Sequence, residues 1–245
     1  MEIKDLPASR QVEFKVNGTT LRGSLFIPKG KGPFPAVIFF HGRGGSRTNY
    51  LFMAEKLAEK GILTLAFDFR GCGKSDGIFK NQTHRMGITD GDAGLNFILK
   101  QKVDRKRIGI QGSSFGGYVA CMLLEKYSFF VKSLVLRVPA AYSDSMLDTT
   151  VSADDEKDFF GKEDNWINSS SYKAIEKYKG SLLVIQSQHD EIILDRAVRK
   201  YYDLAFKAKR KRYFMQKGAK HSIHDNYKAR KEFNELTIDW FKKTL

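Results

Sequence analysis

Beyond residue 30 the chain alternates short, unbroken apolar runs with stretches whose apolar residues recur at helical spacing. Unbroken runs suit strands buried on both faces, and one-sided helices suit their covers. The pattern therefore predicts an α/β fold: a mostly parallel sheet with helices on both faces. The predicted strands cover 36–40, 62–67, 107–111, 131–138, 181–186 and 211–215. Ser46 is placed to cap a helix striped by Tyr50, Met53, Ala54 and Leu57, and Gly61 ends it. Further helices are predicted over 83–101, 114–126 and 194–206. A last one carries Phe233, Leu236, Thr237, Trp240 and Phe241 on one face. Pro139 stops the strand that precedes it.

Two segments depart from this rhythm. Near the start, Val12–Val16 and Leu21–Ile27 flank Asn17-Gly18, a pair that tolerates the positive φ angles of a two-residue hairpin turn. An N-terminal antiparallel hairpin is therefore expected beside the parallel strands. Residues 140–178 mix their signals, and between Asp144 and Asp164 stand eight acids against two lysines, opposite in sign to the rest of the chain. With no repeat and no low-complexity linker, residues 1–245 read as a single domain carrying one insertion at about 140–178.

Composition narrows the class. Hydrophobic content of 42% with 29% charged residues describes a globular chain rather than a disordered one. No apolar stretch approaches the roughly 18 residues of a membrane span. Met1 to Arg10 carries charge and no apolar core of a leader. A soluble, cytoplasmic protein without a membrane partner is expected. The net charge of +14 raises the question of nucleic acid. The densest basic stretch, Arg199 to Lys220, has nine Lys or Arg against Asp203 and contains no nucleic-acid-binding motif, so a solvated basic face is expected. Cys72 and Cys121 read as free thiols, Cys121 as a buried small residue on the helix after Ser114. Neither stands at a metal-ligand spacing, and no cofactor is predicted. Nothing in the pattern specifies an oligomeric state.

The chemistry gathers at the predicted strand ends. Gly112-Ser113-Ser114-Phe115-Gly116 has the G-x-S-x-G form between a predicted strand and a predicted helix, the context in which a serine is held on a sharp, exposed turn. A serine hydroxyl is a poor nucleophile at neutral pH and needs a base oriented by an acid. After the strand at 181–186 comes a polar turn with Asp190 as the better-placed acid and Glu191 in reserve. After the strand at 211–215, a loop leading to the last helix offers His221 as base. His224 lies three residues on, expected within that helix's first turn. His189, adjacent to the acid, is read as structural, and His84 is set aside as lying in another loop. After the strand at 36–40, His41-Gly42-Arg43-Gly44-Gly45 supplies a glycine-rich turn. The backbone N–H groups of Arg43 and Phe115 are the expected oxyanion-hole donors. The Arg43 side chain could also favour an acidic acyl group.

These pieces, together with Asp68 to Ser75, occur in the order of the α/β-hydrolase superfamily, which the chain resembles from about residue 20 to 245. The resemblance is to compact bacterial serine esterases, similar to cinnamoyl esterases and to dienelactone-hydrolase-like and prolyl-oligopeptidase-like hydrolases. It implies a carboxylesterase acting on a small-molecule ester through an acyl-enzyme, with Ser114 as nucleophile, His221 as base and Asp190 as acid. It also implies a structural Asp68 and a lid at 140–178. Dienelactone hydrolases carry cysteine at the elbow where this chain has Ser114, which argues against that activity. The same triad would serve a thioesterase, an amidase or a small peptidase, and a ligand-binding protein on this fold is the non-enzymatic alternative.

Overall fold

The computed structural model describes residues 7–150 and 156–245. Residues 1–6, part of the predicted leaderless N-terminus, and residues 151–155, inside the acidic stretch, lie outside the described residues. The strands are β1 (Ala8–Val16), β2 (Thr19–Ile27), β3 (Phe34–Phe40), β4 (Leu63–Phe67), β5 (Val103–Ser113), β6 (Val131–Arg137), β7 (Ser181–His189) and β8 (Arg210–Lys220). They form one eight-stranded sheet in the order β1-β2-β4-β3-β5-β6-β7-β8. β1 and β2 are antiparallel, β2 runs antiparallel to β4, and β3 to β8 are parallel neighbours. The hairpin turns at Asn17 and Gly18, both at positive φ as that turn requires.

The pleat sorts the apolar strands onto two cores. On β3, Ala36, Ile38 and Phe40 face one side, while Val37 and Phe39 face the other. The second side is covered by α1 (Leu51–Glu59) and α7 (Tyr227–Thr244), through Met53, Leu57, Phe233 and Phe241. The first is covered by α2 (His84–Leu99), α3 (Phe115–Tyr127), α5 (Ser170–Lys177) and α6 (Asp195–Leu204). A short α4 (Glu156–Gly161) lies within the acidic stretch. Helices thus lie on both faces, as the pattern predicts. Among the described residues, no helix is long and apolar enough to cross a membrane.

Several boundaries differ from the sequence reading. β5 begins at Val103 because Asp104, Arg105 and Lys106 occupy its exposed end, where polar residues hide the strand's periodicity. Ser46 precedes a short 3-10 turn, Arg47–Tyr50, but its side chain does not cap it; the hydroxyl meets Thr48 at 2.6 Å. β8 continues to Lys220 past a register shift against β7, with Gly218 at φ +70°. Of the loop expected from Lys217 to His221, the part up to Lys220 is therefore irregular strand. α7 starts only at Tyr227, where the Asn226 side chain accepts the Ala229 N–H at 3.0 Å. His224 consequently stands before the helix, not in its first turn.

The described part of 140–178 contributes several residues to the core. Tyr142 packs on His84 and Tyr118, with ring centres 4.1 and 4.9 Å apart. Trp166, Tyr172 and Ile175 are buried. The Tyr201 hydroxyl of α6 donates to the Ala140 carbonyl at 2.6 Å.

Candidate active site

Parallel strands all point their C-terminal ends the same way, and a crevice opens where consecutive connections leave on opposite sides of the sheet. From β3 the chain goes to β4 on one side, then returns to β5 on the other, so the switch lies between β3 and β5. At those two C-terminal ends stand His41 to Gly45 and Ser114.

Ser114 caps α3 with φ 51° and ψ −119°, a backbone conformation that side chains other than glycine rarely adopt. The turn is over-determined by its surroundings. The Ser114 N–H donates to the Arg137 carbonyl at 2.9 Å, and the Ser114 carbonyl accepts the Gly117 and Ala140 N–H groups at 2.9 and 3.1 Å. The two motif glycines are required sterically: a Cβ on Gly116 would collide with the Phe40 carbonyl, and one on Gly112 with the Gly116 carbonyl. The hydroxyl is thereby pushed out of the sheet's end with a helix N-terminus behind it.

The chain brings the predicted partners to it across 76 and 107 residues of sequence. His221 Nε2 lies 3.1 Å from Ser114 Oγ. On the ring's other side, His221 Nδ1 lies 2.9 Å from Asp190 Oδ2 and 3.0 Å from Oδ1. The Asp190 carboxylate is fully buried, and its Oδ1 accepts the N–H groups of Ile192 and Ile193 at 2.9 and 2.8 Å, which fix its orientation. Glu191, the reserve acid, bonds not to the ring but to the His221 backbone N–H, at 3.1 Å. His224 faces Asn49 at 3.4 Å, and His189 lies at the exposed end of β7. A neutral imidazole donating from Nδ1 to Asp190 leaves Nε2 free to accept the serine proton.

The glycine-rich turn sits beside the elbow. A Cβ on Gly42 would lie 3.5 Å from the Ser114 Cβ, and the Gly45 N–H closes the turn on the Gly42 carbonyl at 3.0 Å. Phe115 heads α3, where a backbone N–H has no intrahelical acceptor. Both backbone segments predicted to donate to an oxyanion thus flank the serine. His41 anchors the turn: its Nδ1 donates to the Gly42 carbonyl at 2.7 Å, while its Nε2 accepts the Phe69 N–H at 3.0 Å. Burial pushes the His41 pKa down, which keeps the ring neutral for both contacts. Asp68 is structural. It accepts the Arg47 and Lys74 N–H groups at 2.7 and 2.9 Å and pairs with the buried Arg47 guanidinium.

A cavity of about 990 Å³ opens at Ser114 and His221 and runs between α1 and α7, past Tyr50, Phe233 and Ile238. None of its described lining residues comes from 140–178, so this cavity gives no support to that segment as its lid. Sequence reasoning gave the side chains of His41, Tyr50 and Arg137 no role at the site. Arg137 alone carried a legible signal, a charge directly after the apolar run Leu134-Val135-Leu136 of a buried strand.

Comparison with known proteins agrees with this architecture. The chain is 30% identical over 142 residues to the esterase FrsA of Shigella boydii, a match covering 55% of this chain and 32% of that one. The chain spans less than two thirds of the length of the first curated relatives it matches. Among solved structures it superimposes on Est1E of Butyrivibrio proteoclasticus, solved with ferulic acid, with a TM-score of 0.75 at 21% identity. That match covers 95% of this chain and 98% of that one. The acylaminoacyl peptidase of Pyrococcus horikoshii gives 0.73 at 22% identity, covering 98% and 42%. The model of the alpha/beta hydrolase fold family matches residues 35–168, which is more than half of the chain and reaches from β3 through the elbow. With the sheet order, the elbow and that match in agreement, the chain belongs to the alpha/beta hydrolase fold family.

Proposed function

We propose that the protein is a serine hydrolase of carboxylic esters working through an acyl-enzyme. The observation that carries this reading is the continuous relay from Asp190 through His221 to Ser114, with bonds of 2.9 and 3.1 Å, at the mouth of a cavity. Ser114 Oγ attacks the ester carbonyl as His221 Nε2 takes its proton, giving a tetrahedral intermediate. The intermediate's oxygen is received by the backbone N–H groups of Arg43 and Phe115, which strengthens as negative charge develops there. His221 then protonates the leaving alkoxide as the C–O bond breaks, and the acyl group remains on Ser114. Water, activated by the same histidine, repeats the sequence and releases the acid and the free serine. Asp190 holds the ring tautomer and favours the imidazolium formed in each half-reaction. The fold-level likeness to esterases and peptidases supports a hydrolase; the choice of ester over amide rests on the triad's intrinsic ease with good leaving groups.

The test is hydrolysis of p-nitrophenyl esters across acyl lengths by the wild type and by Ser114→Ala, with fluorophosphonate labelling of Ser114. Turnover should fall by about 10⁴-fold or more in the variant, and only the wild type should label. Equal rates in the two proteins would overturn the assignment. Faster turnover of matched thioesters or anilides would move the substrate class while leaving the triad in place.

A further inference from the structure

Arg137, the last residue of β6, is tied to the elbow through its backbone. It pairs with Ser113, and its carbonyl accepts the Ser114 N–H at 2.9 Å. Its side chain lies under α7, 5.7 Å from the Phe233 ring centre, and lines the cavity beside Ser114 and His221. The residue is 5% exposed. Every hydrogen-bond partner it has is neutral: Nη1 donates to the His221 carbonyl at 2.9 Å, and Nη2 donates to Ser187 Oγ at 2.9 Å and to the Lys220 carbonyl at 3.2 Å. Nε has no partner. Among the described residues no carboxylate lies within ion-pair distance of this guanidinium.

A cation in such a place is costly unless something balances it. Desolvating a charge costs several kcal/mol, and buried charges are ordinarily paired with an opposite one. Burial pushes the Arg137 pKa down to about 10, so the group still carries its charge at neutral pH. The Asp190 carboxylate acts on this charge from beyond hydrogen-bond distance, but it is committed to His221 and to the Ile192 and Ile193 N–H groups. The cavity lining supplies no further anion to Arg137. Its one acidic lining residue among those described, Glu235, is engaged by Lys231 at 3.9 Å. Lys60 and Arg230 line the same space, and the Arg230 guanidinium donates to the neutral His224 carbonyl, at 2.7 Å. Among the described lining residues Lys and Arg therefore outnumber acids, which favours an anion in the cleft. Arg43 lines the cavity as well, but its charge is also felt by His84 on the opposite side of the sheet.

We infer that the cavity receives an ester bearing an anionic group, carboxylate or phosphate, and that Arg137 is the cation that binds it. This rests on the serine-hydrolase reading and adds the substrate class to it. The apolar walls from Tyr50, Phe233 and Ile238 would hold the carbon skeleton between the scissile carbonyl and the anion.

The experiment compares mono-p-nitrophenyl adipate with its methyl ester, which has the same length and no charge. For the wild type, kcat/KM should favour the acid at least about tenfold, through KM, the size of one charge-assisted hydrogen bond. The preference should shrink as salt is added. In Arg137→Met it should collapse to near parity, and Arg137→Lys should retain part of it. A guanidinium that merely holds the carbonyls of Lys220 and His221 would lower both rates together and leave the ratio unchanged, which would overturn the proposal. If Arg137→Met does not fold, the wild type still decides. Monomethyl adipate should slow fluorophosphonate labelling of Ser114, and dimethyl adipate at equal concentration should not. Butyryl-coenzyme A set against S-butyryl-N-acetylcysteamine distinguishes a phosphate on the leaving group from a carboxylate on the acyl side, and either preference supports an anion. Hydrolysis of neutral esters with no gain from any charge would remove this inference and leave the esterase reading standing. Absence of both turnover and labelling would remove the esterase reading first.

Discussion

At the scale of single residues, the two carboxylates after β7 divide their work by geometry. Asp190 faces the His221 ring, whereas Glu191 holds the backbone beside it. Asp190→Asn should therefore cost about 10⁴-fold in kcat, because the imidazole loses its required tautomer and its imidazolium loses its partner. Glu191→Gln should cost less than about tenfold, since an amide oxygen can still accept the His221 N–H. Steady-state kinetics on one ester checks both, and comparable losses would reassign the acid. His84 offers a stability prediction. It is buried at the start of α2, where its Nδ1 bonds the Met146 and Thr149 carbonyls at 2.9 and 3.1 Å. Burial pushes its pKa down from 6.5 to about 4, so the unfolded chain binds the proton more tightly. The neutral ring's contribution is fully present above 6.5 and is lost as the pH falls towards 4, amounting to about 3 kcal/mol. Urea unfolding across that window should show His84→Gln, less stable at the outset, losing about 3 kcal/mol less than the wild type. Parallel losses in the two proteins would show that another group carries the acid sensitivity.

Among elements, the elbow is the most tightly specified. Gly116 lets α3 start against the end of β3, and Gly116→Ala should cost about 2 kcal/mol or more by forcing its Cβ onto the Phe40 carbonyl. Thermal melting checks it, together with activity, which should fall further than stability because Ser114 shifts with the helix. The elements least legible in the sequence were those whose ends are polar or irregular. β5 hid its start behind Asp104 to Lys106, and β8 hid its extension behind the Gly218 irregularity. Both are sites where exposure removes the alternation that marks a strand. Residues 140–178 were hard to read for the opposite reason. Their aromatics are spaced for docking onto α2, α3 and α6 rather than for a local helix stripe, so Tyr142, Trp166 and Tyr172 make sense only against their neighbours.

For the molecule as a whole, the N-terminal hairpin is bound to the parallel core by charge as well as by the sheet. Arg47 reaches from the turn before α1 to Asp68 after β4, and also contacts Ser24 and Gln11 on the hairpin, at 3.2 and 3.0 Å. Asp68→Ala would leave Arg47 charged, buried and unpaired, and should cost about 3–5 kcal/mol. Denaturant unfolding of that variant beside Arg47→Met with Asp68→Asn would separate the loss of a pair from the stranding of one charge. If the single and double variants were equally stable, the ion pair would carry no such weight.

The sequence by itself determined the α/β architecture, the strand-elbow-helix around Ser114 and the order of the candidate triad. Each of these is written in local periodicity, in turn chemistry or in a motif a few residues long. Only the tertiary structure decided that Asp190 rather than Glu191 faces His221, that the cavity at Ser114 opens between α1 and α7, and that Arg137 lies in its wall with no acid bonded to it among the described residues. Those facts depend on the register of parallel strands and on which side chains face one another across the sheet, and neighbours more than 80 residues apart in sequence leave no local signature.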